Sequence, residues 1–210
     1  MIGGGDVSPD TLSEALKWGE TVVCADGGAD VALRAGLRPA AVIGDLDSIS
    51  GDARAAFDAV LHPVAEQDST DFDKALRHVA APLVIGVGFL GRRFDHSLAA
   101  LHVLLKYRHR PVILLGEDDV VFVPPPVLVL DTDTGQRVSL LPLMPGRVST
   151  RGLRWDVAGA EMSMAAFIGS SNEATGPQVE VRSDGGLALI LPRAALGAAV
   201  RAVQAAVPAG

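Results

Sequence analysis

Cysteine is nearly missing from the chain: Cys24 stands alone in 210 residues. A disulfide framework within the chain is therefore excluded, and the expectation is a reducing, cytoplasmic setting. Aromatic residues are scarce at 4%, so a core has to be built from the Val, Leu, Ile and Ala that dominate the 49% hydrophobic content. Such a mixture suits a sheet covered by helices. Basic residues are outnumbered, 18 Lys and Arg against 25 Asp and Glu, giving a net charge of -7. That balance opposes non-specific binding to nucleic acid or to an anionic membrane surface, so an anionic ligand has to be held by metal ions or a local basic pocket. No run approaches the roughly 20 apolar residues of a membrane span, and the opening residues lack the basic and apolar regions of a signal peptide. The chain is expected to be neither exported nor embedded.

What is present is an alternation of short β-branched runs with amphipathic helical patterns over the first two-thirds. Ser8 and Pro9 supply an N-cap and a first-turn proline, Leu12 and Leu16 share one face, and Gly19 ends that helix. Residues 21–25 predict a buried strand, followed by a helix toward Gly36 and a short strand at 41–43. Ser50 caps a helix with Ala53, Ala56, Phe57 and Val60 inward. Thr70 caps another with Phe72, Ala75, Leu76 and Val79 inward. A strand at 83–87, a helix marked by Leu98, Leu101 and Leu105, and a strand at 112–115 complete the series. Strands separated by helices imply an α/β fold with a mostly parallel, Rossmann-like sheet, whose ligands gather beyond the carboxyl ends of the strands. Pro124-Pro125-Pro126 breaks this pattern, and the domain boundary is placed there, giving 1–124 and 127–210. Beyond it, strands are predicted at 127–130, 137–141, 153–157, 179–181 and 187–191, separated by turn formers. These suggest a smaller antiparallel β-sandwich closed by a C-terminal helix that starts at Pro192, with Leu196, Val200 and Val203 on one side.

The chemistry-bearing residues fall at strand ends and helix starts of the first domain. Asp26 follows the 21–25 strand, and Gly27-Gly28 lets a ligand or metal approach the backbone. In Gly44-Asp45-Leu46-Asp47-Ser48 two carboxylates at i and i+2 of an extended segment point the same way and can address one divalent ion; magnesium favours such hard oxygen ligands. Gln67-Asp68-Ser69-Thr70-Asp71 leads into a helix start, where free N–H groups attract phosphate. Gly91-Arg92-Arg93-Phe94-Asp95-His96 supplies the adjacent arginine pair, able to clamp phosphate oxygens. In the second domain, Trp155 can stack on a flat cationic ring, and Ser171 with Asn172 can hydrogen-bond a heterocycle. Each motif also has a plain structural reading: an Asp-Gly turn, a solvated acidic loop, a helix cap, a core tryptophan.

In this order the motifs resemble the thiamine pyrophosphokinase family, whose pattern runs from Ala-Asp-Gly-Gly-Ala through Gly-Asp-x-Asp-Ser, Asp-x-Thr-Asp and Gly-x-Arg-x-Asp to a late Ser-Asn. The matches are residues 25–29, 44–48, 68–71 and 91–95 with Ser171-Asn172, covering almost the whole chain. The resemblance implies ATP and thiamine as substrates, thiamine diphosphate and AMP as products, and a homodimer with active sites between subunits. It implies an ATP- and magnesium-binding catalytic domain followed by a thiamine-binding and dimerisation domain. It implies Mg2+ on Asp45, Asp47 and Asp71, with Asp26 near the metal-bound phosphates. Gln67, Thr70, Ser48, Arg93 and Asp95 would contact nucleotide or phosphate, Asp71 or Asp95 would act as any general base, and Ser171, Asn172 and Trp155 would face thiamine. One departure is that only Met1 and Ile2 precede Gly3-Gly4-Gly5, where the family has a complete strand. The competing readings are a kinase transferring one phosphoryl group to another small alcohol, and a non-catalytic thiamine or nucleotide sensor.

Overall fold

The computed structural model of the protein describes residues 1–91 and 93–206. The chain forms two compact units, one of residues 1–103 with 114–117, the other of residues 104–113 and 118 onward. The first runs α1 (Pro9–Leu16), β1 (Val23–Ala25), α2 (Gly28–Arg34), β2 (Ala41–Gly44), α3 (Gly51–Ala56), β3 (Leu61–Pro63), α4 (Asp71–His78) and β4 (Val84–Val87). The divisions between units fall within α5 (Phe94–Lys106) and β5 (Val112–Leu115).

Helix starts obey their caps. Ser8 Oγ accepts the Thr11 N–H at 3.1 Å, Ser50 Oγ that of Ala53 at 3.1 Å, and Thr70 Oγ1 that of Asp73 at 3.2 Å. Each bond satisfies a donor that a helix start otherwise leaves free. β1 and β2 pair in parallel, as do β2 and β3. Ile2 makes isolated parallel bridges to Cys24 and to Val87, so the first strand of this unit is reduced to one residue. The approach is close: a Cβ on Gly28 would stand 2.0 Å from the Ile2 carbonyl oxygen. Val23, Ala25, Ile43 and Ala75 form the core under this sheet, at about 1.5–3 kcal/mol for each large aliphatic side chain buried.

Two expectations for this unit change, and one strand was not expected. β3 has exposed His62 and Pro63, so no apolar run announces it. α3 stops at Ala56, which is exposed, and only Ala53 and Phe57 of its expected face are buried. α5 buries Ala100, Val103 and Leu104 and leaves Leu98 48% exposed; its apolar residues run nearly all round, so spacing alone does not select the inner face.

The second unit contains β6 (Asp119–Phe122), β7 (Val127–Asp131), β8 (Arg137–Pro142), β9 (Gly146–Arg151), β10 (Ala160–Met162), β11 (Gly169–Glu173), β12 (Gln178–Ser183), β13 (Leu187–Pro192) and α6 (Leu196–Ala206). Antiparallel pairing joins β10, β9, β12 and β7 in that order, and β11, β8, β13 and β6 in another. No strand forms at 153–157; Leu153 alone bridges Ala174. The Asp156 carboxylate accepts the N–H groups of Gly152 and Leu153 at 3.2 and 3.0 Å and the Thr150 hydroxyl at 2.9 Å, which winds that segment into a turn. A short 3-10 turn, Arg193–Ala195, precedes α6, whose Leu196, Val200 and Val203 are buried as expected. Among the described residues no helix is long and apolar enough to cross a membrane.

Candidate active site

Asp26 sits where β1 ends. Its backbone adopts φ +40°, its N–H donates to the Ile43 carbonyl at 2.9 Å, and its side chain is buried at 2% exposure. One carboxylate oxygen, Oδ2, accepts the Ser48 N–H at 3.2 Å, whereas the buried Oδ1 has no hydrogen-bond partner among the described residues. An orphaned buried carboxylate oxygen costs free energy unless something outside the chain meets it. Burial pushes the Asp26 carboxyl above its usual range, the neighbouring Asp71 adds to this, and the bonds from Ser48 oppose it.

The loop after β2 delivers Asp45 and Asp47 by a different geometry from the extended one expected. Leu46 adopts φ +65° and turns its side chain into the interior, at 5% exposure. Left-handed non-glycine residues are strained and cluster at functional sites; two of the three here are Asp26 and Leu46. The turn folds Asp47 back so that its N–H donates to Asp45 Oδ1 at 3.3 Å, and Ser48 Oγ donates to Asp47 Oδ1 at 3.0 Å. Asp26, Asp45 and Asp47 can each offer one oxygen, all within 4.8 Å of one another.

Asp71 opens α4 and approaches this group beside Gly44. Between them lies Lys74, 1% exposed, whose ammonium donates to Asp45 Oδ2 at 2.9 Å and to Asp71 Oδ1 at 3.2 Å. Gln67 Nε2 donates to the same Asp45 oxygen at 3.0 Å. The Lys74 bond is the main reason the Asp45 carboxyl is held down at about 2. Burial pulls the Lys74 ammonium down, and the bonds to Asp45 and Asp71 outweigh it, leaving it raised. Sequence reasoning missed Lys74. The only available signal is its place three residues after Asp71, inside a helix segment where residues 72–76 are all buried.

An open cleft of about 1110 Å³ adjoins this cluster within the first unit. Of the residues singled out from sequence, Asp26, Ser48, Thr70, Asp71, Arg93 and His96 line it. Asp45, Asp47 and Gln67 do not, and connect to it through Asp26 and the Lys74 pairing. Arg93 and Asp95 are exposed and grip each other at 2.7 and 3.2 Å; this hydrogen-bonded pairing holds the Asp95 carboxyl below its usual range. The Gly3-Gly4-Gly5 loop also lines the cleft, as do Phe89 and Glu117, which were not foreseen. Glu117 accepts the Ser8 N–H at 2.9 Å and hydroxyl at 2.7 Å, and the Thr11 hydroxyl at 2.9 Å. These contacts span more than 100 positions of sequence, so no local pattern reports them.

In the second unit Trp155 is 57% exposed, with the Arg154 guanidinium 4.9 Å from its ring centroid. Asn172 is buried and clamps the same loop: its Oδ1 accepts the Trp155 N–H at 3.2 Å and its Nδ2 donates to the Trp155 carbonyl at 2.8 Å. Ser171 is exposed, with φ +56° and its N–H on Ser139 Oγ at 2.9 Å. Ser171 and Trp155 present surface; Asn172 holds the Trp155 backbone and Ser139 that of Ser171.

Carboxylates at the carboxyl ends of parallel strands, beside a cleft and a capped helix start, form a donor set of the class compatible with a divalent cation. Residues 12–115 match the family profile described as thiamin pyrophosphokinase, catalytic domain, and residues 127–188 match the thiamin pyrophosphokinase, vitamin B1 binding domain. The chain belongs to the thiamin pyrophosphokinase family. Thiamine pyrophosphokinase 1 of Arabidopsis thaliana is 27% identical over 200 residues, covering 79% of this chain and 75% of its own. Thiamin pyrophosphokinase 1 of Caenorhabditis elegans is 27% identical over 166 residues, covering 71% of this chain and 68% of its own. Among solved structures, thiamin pyrophosphokinase from Geobacillus thermodenitrificans superimposes with a TM-score of 0.74 at 26% identity, covering 91% of this chain and 94% of that one. The Candida albicans enzyme shares the fold, with a TM-score of 0.76 at 19% identity over 91% of this chain and 88% of that one.

Proposed function

We propose that the protein is a thiamine pyrophosphokinase, moving the pyrophosphoryl group of ATP to the hydroxyl of thiamine with release of AMP. The observation that carries this reading is the convergence of Asp26, Asp45 and Asp47, with an unpartnered buried oxygen on Asp26, in a chain of this family. A hard divalent ion, Mg2+ in this proposal, fits that donor set. Asp26, Asp45 and Asp47 would hold it, with Asp71 beside them across Lys74. When bound, the ion supplies charge neutralisation for the ATP phosphates.

The chain's own residues provide the rest. Thr70 and the start of α4 offer N–H groups to phosphate oxygens, and Gln67 steadies Asp45. Arg93 meets negative charge that spreads as the thiamine oxygen bonds to the β-phosphorus and the bond to the α-phosphate oxygen breaks. The hydroxyl proton passes to a carboxylate. Asp71 at the cleft wall and Asp95, held low by Arg93, are the two candidates. Thiamine recognition is assigned to the exposed Trp155 and Ser171, with Asn172 fixing the loop that carries the ring.

The domain roles proposed are catalysis for 1–124 and thiamine binding and dimerisation for 127–210. A homodimer with active sites between subunits fits the exposed Met164, Phe167 and Ile168 near Trp155 in sequence. A cytoplasmic setting suits the lone, buried Cys24. The test uses ATP labelled at the β-phosphorus together with thiamine and Mg2+. Label in thiamine diphosphate with equimolar AMP is the expected result. Label in ADP would place the protein with single-phosphoryl kinases, and tight binding without any product would make it a sensor.

A further inference from the structure

Lys74 is an unusual residue to bury. A fully enclosed ammonium is costly to desolvate, and an apolar side chain of its length would fill the same space more cheaply unless the neighbouring carboxylates required the charge. Those neighbours do. Its Nζ lies 2.9 Å from Asp45 Oδ2 and 3.2 Å from Asp71 Oδ1, the two carboxylates arriving from β2 and α4. Around Gly44 the packing leaves no slack: a Cβ there would stand 2.7 Å from Asp26 Cβ and 3.1 Å from Asp71 Oδ1. Carboxylates so confined repel one another at close range unless positive charge is held among them.

Lys74 serves only part of the group. Its hydrogen bonds go to Asp45 and Asp71, while the unpartnered buried oxygen belongs to Asp26. The protein thus carries one cation of its own on the Asp45 and Asp71 side and leaves the Asp26 side to be met from outside. Resting on the cation-site reading above, we infer that Lys74 is a positioning residue, a built-in counter-cation that keeps the aspartate cluster assembled before a divalent ion arrives. Lysine and metal then neutralise overlapping charges, so their stabilising effects are not additive: the ion contributes more to folding once the ammonium is gone.

The test is thermal unfolding of the full chain in EDTA and at saturating Mg2+, without nucleotide, for the unaltered protein, Lys74→Met and Lys74→Arg. In EDTA, Lys74→Met melts lower by roughly 2–12 °C, the shift that follows from leaving half-buried carboxylates without their partner in a chain of this size. Mg2+ then raises its melting temperature by at least about 3 °C more than it raises that of the unaltered protein, a difference on the scale of about 1 kcal/mol per 2–4 °C. Lys74→Arg, which keeps the charge, responds to Mg2+ as the unaltered protein does. Equal rises in Lys74→Met and the unaltered protein overturn the inference and leave Lys74 as an ordinary structural pair. A smaller rise in Lys74→Met also overturns it. If Lys74→Met folds only when Mg2+ is present, the inference is supported; if it folds in neither condition, Lys74→Gln is measured in its place by the same criterion. No rise in the unaltered protein sinks the cation site itself, a result distinct from failure of the role given to Lys74.

Discussion

Asp47 is the most solvent-exposed of the three converging aspartates, and among the described residues its side chain hydrogen-bonds only Ser48. Asp47→Asn therefore removes a cation-site charge with little disturbance to packing. Turnover is expected to fall by at least about 100-fold, with the melting temperature nearly unchanged; steady-state kinetics beside a thermal melt checks both halves, and retained activity at saturating Mg2+ counts against the role. Asp45 predicts a pH effect. Its carboxyl is held at about 2 in the fold against an ordinary 3.8, so the unfolded chain takes up the proton first. The stability Asp45 contributes is complete above about pH 4 and is lost as pH falls toward about 2. Asp45→Asn should flatten the acid limb of a circular-dichroism unfolding profile in that window. Asp26 has the opposite sign: its carboxyl is raised, so in metal-free protein its ionisation lowers stability as pH rises above the usual carboxylate range. Asp26 and Asp45 were legible in the sequence because each stands beside a glycine at a strand end, and Asp47 because it follows Asp45 by two residues. Lys74 was not, because a lysine inside a helix reads as solvent-facing until the carboxylates it meets are placed around it.

At the level of elements, the capped helices formed where their caps lie, since Ser8, Ser50 and Thr70 act within three residues of themselves. Ser50→Ala should cost about 1 kcal/mol in urea unfolding and leave turnover intact, because α3 supplies no aspartate of the cluster. Gly44→Ala is different. At the end of β2 a Cβ would meet the Asp26 side chain and Asp71, so about 1–3 kcal/mol of overpacking should accompany a loss of activity, read by the same two assays. Strands were less legible than helices. β3 offers one half-buried leucine beside two exposed residues, and β9 alternates too weakly to stand out, with Val148 its single buried residue. The 153–157 segment has a strand's apolar spacing, yet Asp156 claims its backbone donors and curls it. Its tryptophan is thereby presented outward instead of packed inside.

For the whole molecule, a net charge of -7 and an acidic cluster disfavour a triphosphate ligand unless cations intervene, a tension that the proposed cation site would resolve. Composition already excluded a disulfide scaffold and a basic nucleic-acid surface, and the alternation of strands and helices gave the first unit's mostly parallel sheet. The sequence placed a boundary at the three prolines. By packing, the compact units divide within α5 and β5 and again after residue 117; the functional division into 1–124 and 127–210 belongs to the proposal. The measurement closest to the central claim is a Mn2+ titration followed by electron paramagnetic resonance, comparing the unaltered protein with a variant carrying Asp26→Asn, Asp45→Asn and Asp47→Asn together. The account predicts that the unaltered protein depletes the free Mn2+ signal and that the folded triple variant does not. Equal depletion by both would show that these three carboxylates do not hold the ion.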